Sequence, residues 1–104
     1  MAKDLIKFIY VTFKNKKEAA KIGKYLVEKQ LAKCVNILPT ITSIYEWEGK
    51  VEQASEVNAI IKIKPSNVKK VTETIKLLHS YSNPCILSIE AHSLSDDYTR
   101  WFNS

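Results

Sequence analysis

The stretch LIKFIYVTF, residues 5–13, decides the fold, because the strand that it predicts is apolar on both faces. Successive side chains of a strand point to opposite faces of the sheet. Ile6, Phe8 and Tyr10 therefore share one face, and Ile9, Val11 and Phe13 share the other. A strand with two apolar faces is typical of the centre of a sheet that is covered on both sides.

An amphipathic helix is predicted directly after this strand. Asn15 is a favourable N-cap for a helix over residues 16–30. Apolar residues recur there at helical spacing, with lysines between them. The predicted buried side of this helix consists of Ala19, Ile22, Gly23, Leu26 and Val27.

A long hairpin is predicted in the middle of the chain. The first strand covers residues 31–38 and is expected to end at Pro39, and the next covers residues 41–47. In the second of these, alternation places Ile41, Tyr45 and Trp47 on one side. Gly49 predicts a bend within EGK, because glycine adopts backbone angles that a side chain forbids.

The second half of the chain repeats the pattern of strand, helix and strand. A strand over residues 56–64 with alternate apolar residues ends at Pro65, and Ser66 is the expected cap of a helix that runs to about His79. A last strand is predicted over residues 85–91, followed by a short C-terminal helix with Ser95 as its cap. The buried stripe of the second helix is expected to be Val68, Val71, Ile75 and Leu78.

The order β-α-β-β-α-β, with an extended central hairpin and a helical tail, predicts an α+β ferredoxin-like sandwich, one domain over residues 1–104. Two helices cover only one face of a four-stranded sheet, yet the first strand is apolar on both faces. We therefore expect the open face to pack against other copies of the chain. The hairpin that carries Tyr45 and Trp47 is the expected contact arm, since aromatic residues are favoured in subunit interfaces.

The composition excludes several classes of protein. The net charge is +5, but only one of the 16 basic residues is arginine, so we expect a solvated lysine surface and no nucleic-acid partner. Cys34 and Cys85 are far apart and form no CxxC motif, which is typical of free thiols in a reducing compartment. No apolar run is long enough for a membrane span, and the N-terminus does not resemble a signal peptide. The sequence thus predicts a cytoplasmic protein without a membrane partner.

Four segments together resemble the CutA divalent-cation tolerance family: LAKCVNILPTITSIYEWEGKVE from residue 31, EV..IIKIK from residue 56, LHSYSNP from residue 78 and DYTRWF from residue 97. The resemblance implies a ferredoxin-like fold and a homotrimer in which sheets pack face to face and hairpins pair between subunits. It also implies a role in tolerance to copper and other divalent metals, with no established enzymatic reaction. The similarity of such trimers to PII-type signalling proteins suggests ligand clefts between subunits.

His79 and Cys85 are the candidate metal ligands. Imidazole binds copper and zinc, and a thiol suits soft ions such as Cu(I). His79 lies in the segment where the family shows a His-Pro-Tyr motif, but Ser80 stands here in place of the proline. The alternative is a structural histidine at a helix C-terminus. Cys34 matches the family's CVN motif, and both a buried structural thiol and a ligand remain open.

A ligand cleft is also implied by the resemblance, in which Lys62 meets an anion and Glu48 holds Lys62 or a metal. The alternative is structural pairing of these side chains. The predicted cleft consists of Glu48, Glu56, Lys62, Tyr81 and Trp101.

The sequence therefore predicts a trimeric divalent-metal (copper) tolerance or response protein. The alternative is a PII-like trimeric sensor or scaffold that binds a small anionic ligand or a protein partner. Copper or another divalent ion is the candidate ligand, and we expect none to be required for folding. We expect no enzyme, because no phosphate-binding glycine loop or Ser-His-Asp arrangement is present, and the only arginine, Arg100, lies in the tail.

Overall fold

A computed structural model describes residues 3–104 and contains the predicted order of strands and helices. The elements are β1 (Leu5–Phe13), α1 (Lys16–Glu28), β2 (Cys34–Trp47), β3 (Lys50–Ile63), a 3-10 turn (Pro65–Asn67), α2 (Val68–Leu78), β4 (Ile86–His92) and α3 (Asp96–Phe102). The strands form one antiparallel sheet in the order β2-β3-β1-β4. The predicted α+β ferredoxin-like plan is therefore confirmed, with β1 in the interior of the sheet.

The core lies between the sheet and the layer formed by α1 and α2. One face of β1 contributes the buried side chains Ile9, Val11 and Phe13, as the alternation predicts. Burial of apolar side chains is the main favourable term in folding. The other core residues are Ala19, Ile22, Leu26, Ala32, Val57, Ala59, Ile61, Ile63, Val71 and Ile75.

Helix α1 begins at its predicted cap and packs closely on the sheet. The Asn15 side chain accepts a hydrogen bond of 2.9 Å from the amide of Glu18. A Cβ atom added at Gly23 would lie 3.0 Å from Cγ1 of Val35. The absence of a side chain at Gly23 therefore lets α1 approach β2 at this point.

The central hairpin is longer and more continuous than predicted. Pro39 does not end a strand, since β2 runs without interruption to Trp47 and the register shifts between Leu38 and Ile41. Such an irregularity accommodates a residue that cannot donate a ladder hydrogen bond. The return strand starts at Lys50 rather than at residue 56, because the pairing extends to the tip of the hairpin.

The bend predicted at EGK is a two-residue turn between the paired residues Trp47 and Lys50. Glu48 has a φ of 50° and Gly49 a φ of 79°, so both turn residues have the positive φ that tight hairpins require. This conformation is unfavourable for Glu48. A hydrogen bond of 2.9 Å from the Gly49 amide to the Glu46 carboxylate helps to hold the turn.

Three local predictions about the helices were wrong. Ser66 does not cap α2, because the chain first makes a 3-10 turn and the helix begins after Asn67, which makes no side-chain cap. Val27 and Leu78 do not belong to the buried stripes and are exposed. Each lies in the last turn of its helix, where the neighbouring residues Leu26 and His79 take the buried positions. Ser95 does cap α3, by accepting a hydrogen bond from the Tyr98 amide.

The second face of the sheet is not covered by α1 or α2. Pairing with Phe8 and Tyr10 places Ile89 and Leu87 of β4 on this open face, where each is about half exposed. Helix α3 lies near one end of it, next to Ile6 and Phe8. Among residues 3–104, no helix is long and apolar enough to cross a membrane.

Candidate metal and ligand site

His79 is a buried residue that closes the C-terminal end of α2, with only 8% of its surface exposed. Its Nε2 lies 2.8 Å from the carbonyl oxygen of Thr12, and its Nδ1 accepts a hydrogen bond of 3.0 Å from the Tyr81 amide. This pattern requires the tautomer with a proton on Nε2, because a carbonyl can only accept. Both ring nitrogens are therefore engaged within the chain.

Aromatic contacts hold the His79 ring in place. It stacks on Phe13 with ring centroids 4.9 Å apart and an interplanar angle of 10°, and Tyr81 packs against it at the same centroid distance. A metal ion could reach Nδ1 only after the hydrogen bond to Tyr81 breaks. The geometry thus supports a structural role for His79, which joins the loop after α2 to the end of β1.

Glu18 holds the same loop from the other side. Its Oε2 accepts a hydrogen bond of 2.9 Å from the amide of Ser80. Burial raises the pKa of the Glu18 carboxyl, but hydrogen bonding, chiefly from Ser80, outweighs burial, so the pKa lies below its ordinary value. Proline lacks the amide proton that this contact uses. The contact therefore depends on the departure from the family's His-Pro-Tyr motif at Ser80.

Tyr81 connects the loop to β3. Its hydroxyl donates a hydrogen bond of 2.8 Å to Oε2 of Glu56. Burial and this hydrogen bond to Glu56 raise the pKa of Tyr81 to about 12. Tyr81 therefore remains a neutral donor at physiological pH and fixes the orientation of the Glu56 carboxylate.

Glu56 and Tyr81 line an open cavity of about 690 Å³ that extends from the loop before β4 along the hairpin to Trp47. Cys85 lines it as well, and so do the predicted interface residues Tyr45 and Trp47. Burial, followed by the negative charge of Glu56, raises the pKa of the Cys85 thiol. A thiol in such surroundings ionises more readily when a cation is bound beside it. The cavity thus combines a thiol and a carboxylate, two common metal-binding groups.

A complete metal centre is not formed within one chain. Across the described residues 3–104, no three side chains of His, Cys, Asp or Glu converge at a point where they could hold an ion. Cys85 and Glu56 could supply two ligands, and Glu46 and Glu52 line the same cavity without completing a group of three. Water or another copy of the chain could supply the further ligands of a bound ion.

The five residues of the predicted ligand cleft are divided among four places. Only Glu56 and Tyr81 are in contact, while Glu48 lies in the turn at the hairpin tip. The Lys62 ammonium lies 5.7 Å from the centre of the Phe8 ring and 5.9 Å from that of Tyr98, near α3. Trp101 packs under Lys33, whose Nζ is 4.9 Å from the ring. A single chain therefore does not assemble this cleft.

The remaining thiol and the second histidine of the chain lie away from the cavity. Cys34 is half-buried on the open face opposite Lys62, and its Sγ lies 3.9 Å from the Asn36 side chain. His92 is exposed at the end of β4 and pairs with Asp4 at 2.9 Å. Since Cys34 is paired near the opposite end of β3 from the hairpin, the structure does not bring it next to Cys85.

Sequence reasoning missed two members of this network, Thr12 and Glu18. Thr12 acts through its backbone carbonyl, which no side-chain pattern reveals. Glu18 occupies the third position of α1, where a carboxylate normally turns back towards the cap residue. It faces Ser80 instead, 62 residues later, and only the tertiary structure reveals this contact.

Comparison with known proteins agrees with the fold and the motifs. The model of the family described as CutA1 divalent ion tolerance protein matches residues 7–104. A divalent-cation tolerance protein CutA from Archaeoglobus fulgidus is 41% identical over 96 residues, which are 92% of this chain and 93% of that protein. Protein CutA from Mus musculus is 41% identical over 92 residues, but the match covers 88% of this chain and 52% of the mouse protein. The chain thus spans about half the length of this mammalian relative.

Solved structures are similar over nearly the whole chain. The structure described as the periplasmic divalent cation tolerance protein CutA from Archaeoglobus fulgidus has a TM-score of 0.90 at 39% identity, and the match covers 94% of this chain and 95% of that one. The divalent cation tolerance protein (Cut A1) from Thermus thermophilus has a TM-score of 0.88 at 34% identity, with 93% of this chain and 94% of that one covered. Together with the fold and the motifs, these matches identify the chain as a member of the CutA1 divalent ion tolerance protein family.

Proposed function

We propose that this protein is a cytoplasmic homotrimer that serves tolerance or response to divalent metal ions and binds an ion, copper in particular, in the cavity next to Cys85. The relatives named divalent-cation tolerance proteins support the general role. The observation that carries the binding site is the cavity shared by Cys85 and Glu56. Its thiol suits Cu(I), which favours soft sulfur ligands. The proposed role requires no enzymatic reaction, and residues 1–104 act as one domain.

Two observations support self-association of the chain and a role for it in metal binding. The open face exposes Leu87 and Ile89, and the hairpin exposes 57% of Trp47, so a large apolar surface is available for other copies. Tyr45 and Trp47 also line the cavity, so a subunit packed against them would close it. A second copy could then supply the metal ligands that one chain lacks.

Native mass spectrometry with and without added copper, under reducing and non-reducing conditions, tests the proposal. We expect a trimer that takes up copper stoichiometrically and loses it in Cys85→Ser and Glu56→Gln variants. Cys34→Ser is the matched control for the thiol and should retain copper. His79→Ala separates the two candidate ligands, since its structural role predicts retained copper in any folded trimer.

Scattered adducts that do not change in the Cys85→Ser variant would refute direct binding at this cavity. If a folded His79→Ala trimer no longer bound copper, His79 would be a copper ligand after all. A monomer at micromolar concentration would refute the assembly, independently of metal binding.

The alternative function is that of a PII-like sensor or scaffold for a small anionic ligand. The observation that favours it is Lys62, whose ammonium lies between the rings of Phe8 and Tyr98 at a small surface cavity. A cation next to aromatic rings can receive an anion that also packs on the rings. Ligand-induced changes at Lys62 in NMR spectra, without any effect of metal ions, would favour this alternative.

A further inference from the structure

A lysine-lined groove runs along α1 on the side of the sheet that is opposite to the open face. It has a volume of about 640 Å³ and extends from the turn before α1 to the end of α2. Its cationic side chains are those of Lys14, Lys17, Lys21 and Lys24. We refer to this feature as the lysine groove.

The spacing of these lysines follows from the helix. Lys17, Lys21 and Lys24 are four and three residues apart, so they lie on one side of α1. With a rise of 1.5 Å per residue, they extend over about 10 Å of the helix surface. Their ammonium groups therefore form a row rather than one pocket, and a row fits an extended anionic chain better than a single small anion.

Two carboxylates also line the groove but do not cancel its charge. Glu18 is directed to the loop after α2, where it accepts the hydrogen bond from Ser80. Glu28 is exposed at the last residue of α1. Four ammonium groups thus face two carboxylates, of which one is engaged elsewhere, so cations are disfavoured and carboxylates are favoured in the groove.

Apolar side chains lie between the lysines. Tyr25 is 39% exposed and Leu78 is 42% exposed, and both line the groove. Leu77, the neighbour of Leu78, is 83% exposed. The sequence pattern predicted Leu78 in the core, but it lies at the rim of the groove. Exposed apolar side chains beside a row of charges are typical of a surface that receives a partner.

We propose that the lysine groove binds an acidic segment of a partner protein, which places carboxylates against the lysines and an apolar side chain against Tyr25 and Leu78. Charge complementarity and the apolar side chains of Tyr25 and Leu78 support this occupant. A nucleic acid fits less well, because the groove contains no arginine, the residue whose planar fork pairs with phosphates and bases. The groove lies away from the open face, so it stays accessible in an assembly built on that face.

Fluorescence anisotropy with a labelled peptide of sequence Gly-Glu-Glu-Leu-Glu-Glu-Gly tests this proposal on the full chain. We expect salt-sensitive binding that weakens by about tenfold in the triple variant Lys17→Gln, Lys21→Gln, Lys24→Gln. The control triple Lys3→Gln, Lys69→Gln, Lys70→Gln removes the same charge outside the groove and should change the affinity by less than about twofold. All six lysines are exposed, so neither variant should affect folding.

The apolar anchor is tested with a peptide in which serine replaces leucine, and with a Leu78→Ser variant. Each change should weaken binding, since the apolar contact is lost. The proposal is overturned if the wild-type protein does not bind the peptide, if both triple variants lose affinity equally, or if the leucine and serine peptides bind alike. It is also overturned if a single-stranded oligonucleotide binds the same lysines more tightly than the peptide. Metal ions are not needed in this experiment, so its outcome is independent of the cavity at Cys85.

Discussion

The hydroxyl of Tyr81 donates a hydrogen bond of 2.8 Å to the carboxylate of Glu56, which joins the loop after α2 to the middle of β3. The same loop is tied to β1 through His79 and to α1 through Ser80. Three separate elements therefore hold residues 79–81 in one conformation. This fixed loop forms one wall of the cavity that contains Cys85.

Replacing Tyr81 with phenylalanine tests the strength of this link. Tyr81→Phe leaves the half-buried Glu56 carboxylate without its donor and should lower the free energy of unfolding by about 1 kcal/mol. Urea unfolding at neutral pH measures the change. Tyr98→Phe is the control, since the hydrogen bond of Tyr98 is made by its backbone amide. Equal stability of the Tyr81→Phe variant and the wild type would contradict the link.

The titration of Tyr81 gives a second test. In the presence of a chelator, its phenolate should form near pH 12, whereas an ordinary tyrosine ionises near 10. The raised pKa means that Tyr81 stabilises the fold fully below pH 10 and that this contribution is lost as the pH rises from 10 to 12. Ultraviolet absorbance of the phenolate follows the titration. Glu56→Gln should lower the pKa, though not to 10, because burial is the larger cause.

A truncation of His79 should destabilise the protein strongly. His79→Ala opens a cavity and leaves the Thr12 carbonyl and the Tyr81 amide without partners, at a cost of about 2–4 kcal/mol. Thermal or urea unfolding measures the loss. Ser82→Ala is a close control, because Ser82 lies in the same loop and its side chain is exposed. If the free energy of unfolding falls by less than about 1 kcal/mol, the His79 ring does not stabilise the fold as its contacts indicate.

Acid should weaken the fold partly through Glu18. Because the pKa of Glu18 in the folded chain lies below 4.5, its contribution is present above pH 4.5 and is lost as the pH falls below that value. Thermal unfolding across this range should show a shallower pH dependence in Glu18→Gln, whose amide oxygen can still accept from Ser80 without titrating. Glu73→Gln, an exposed change on α2, should keep the slope of the wild type. Parallel curves for the two variants would refute the assignment.

The hairpin offers a test of assembly with a built-in control. Trp47 lies on the same face of the hairpin as Tyr45, and Val51 lies on the other face, opposite Glu46. We expect Trp47→Ala to shift the proposed trimer towards monomers in light scattering, because it removes aromatic contact area. Val51→Ala removes an exposed apolar group outside that face and should leave the proposed assembly intact. A fully assembled Trp47→Ala trimer of unchanged stability would exclude Trp47 as an interface anchor.

Local patterns were sufficient for most of the fold. Alternation in residues 5–13 placed Ile9, Val11 and Phe13 in the core, Asn15 and Ser95 marked the starts of two helices, and Gly49 marked the hairpin turn. These signals depend on neighbours within a few residues, so the sequence contains them. Pro39 and Leu78 were misjudged because distant contacts decide them: the pairing with β3 carries the strand past Pro39, and His79 rather than Leu78 packs on β1 at the end of α2.

The sequence by itself therefore determined the order of the elements, the family and the two apolar faces of β1. The tertiary structure alone decided which candidate side chains meet. Both ring nitrogens of His79 form hydrogen bonds within the chain. Glu56, Tyr81 and Cys85 line one cavity, whereas Lys62 and Trp101 lie elsewhere. The physical reason is that hydrogen-bond partners such as Glu18 and Ser80 are 62 residues apart, and only the packing of helices on the sheet brings them together.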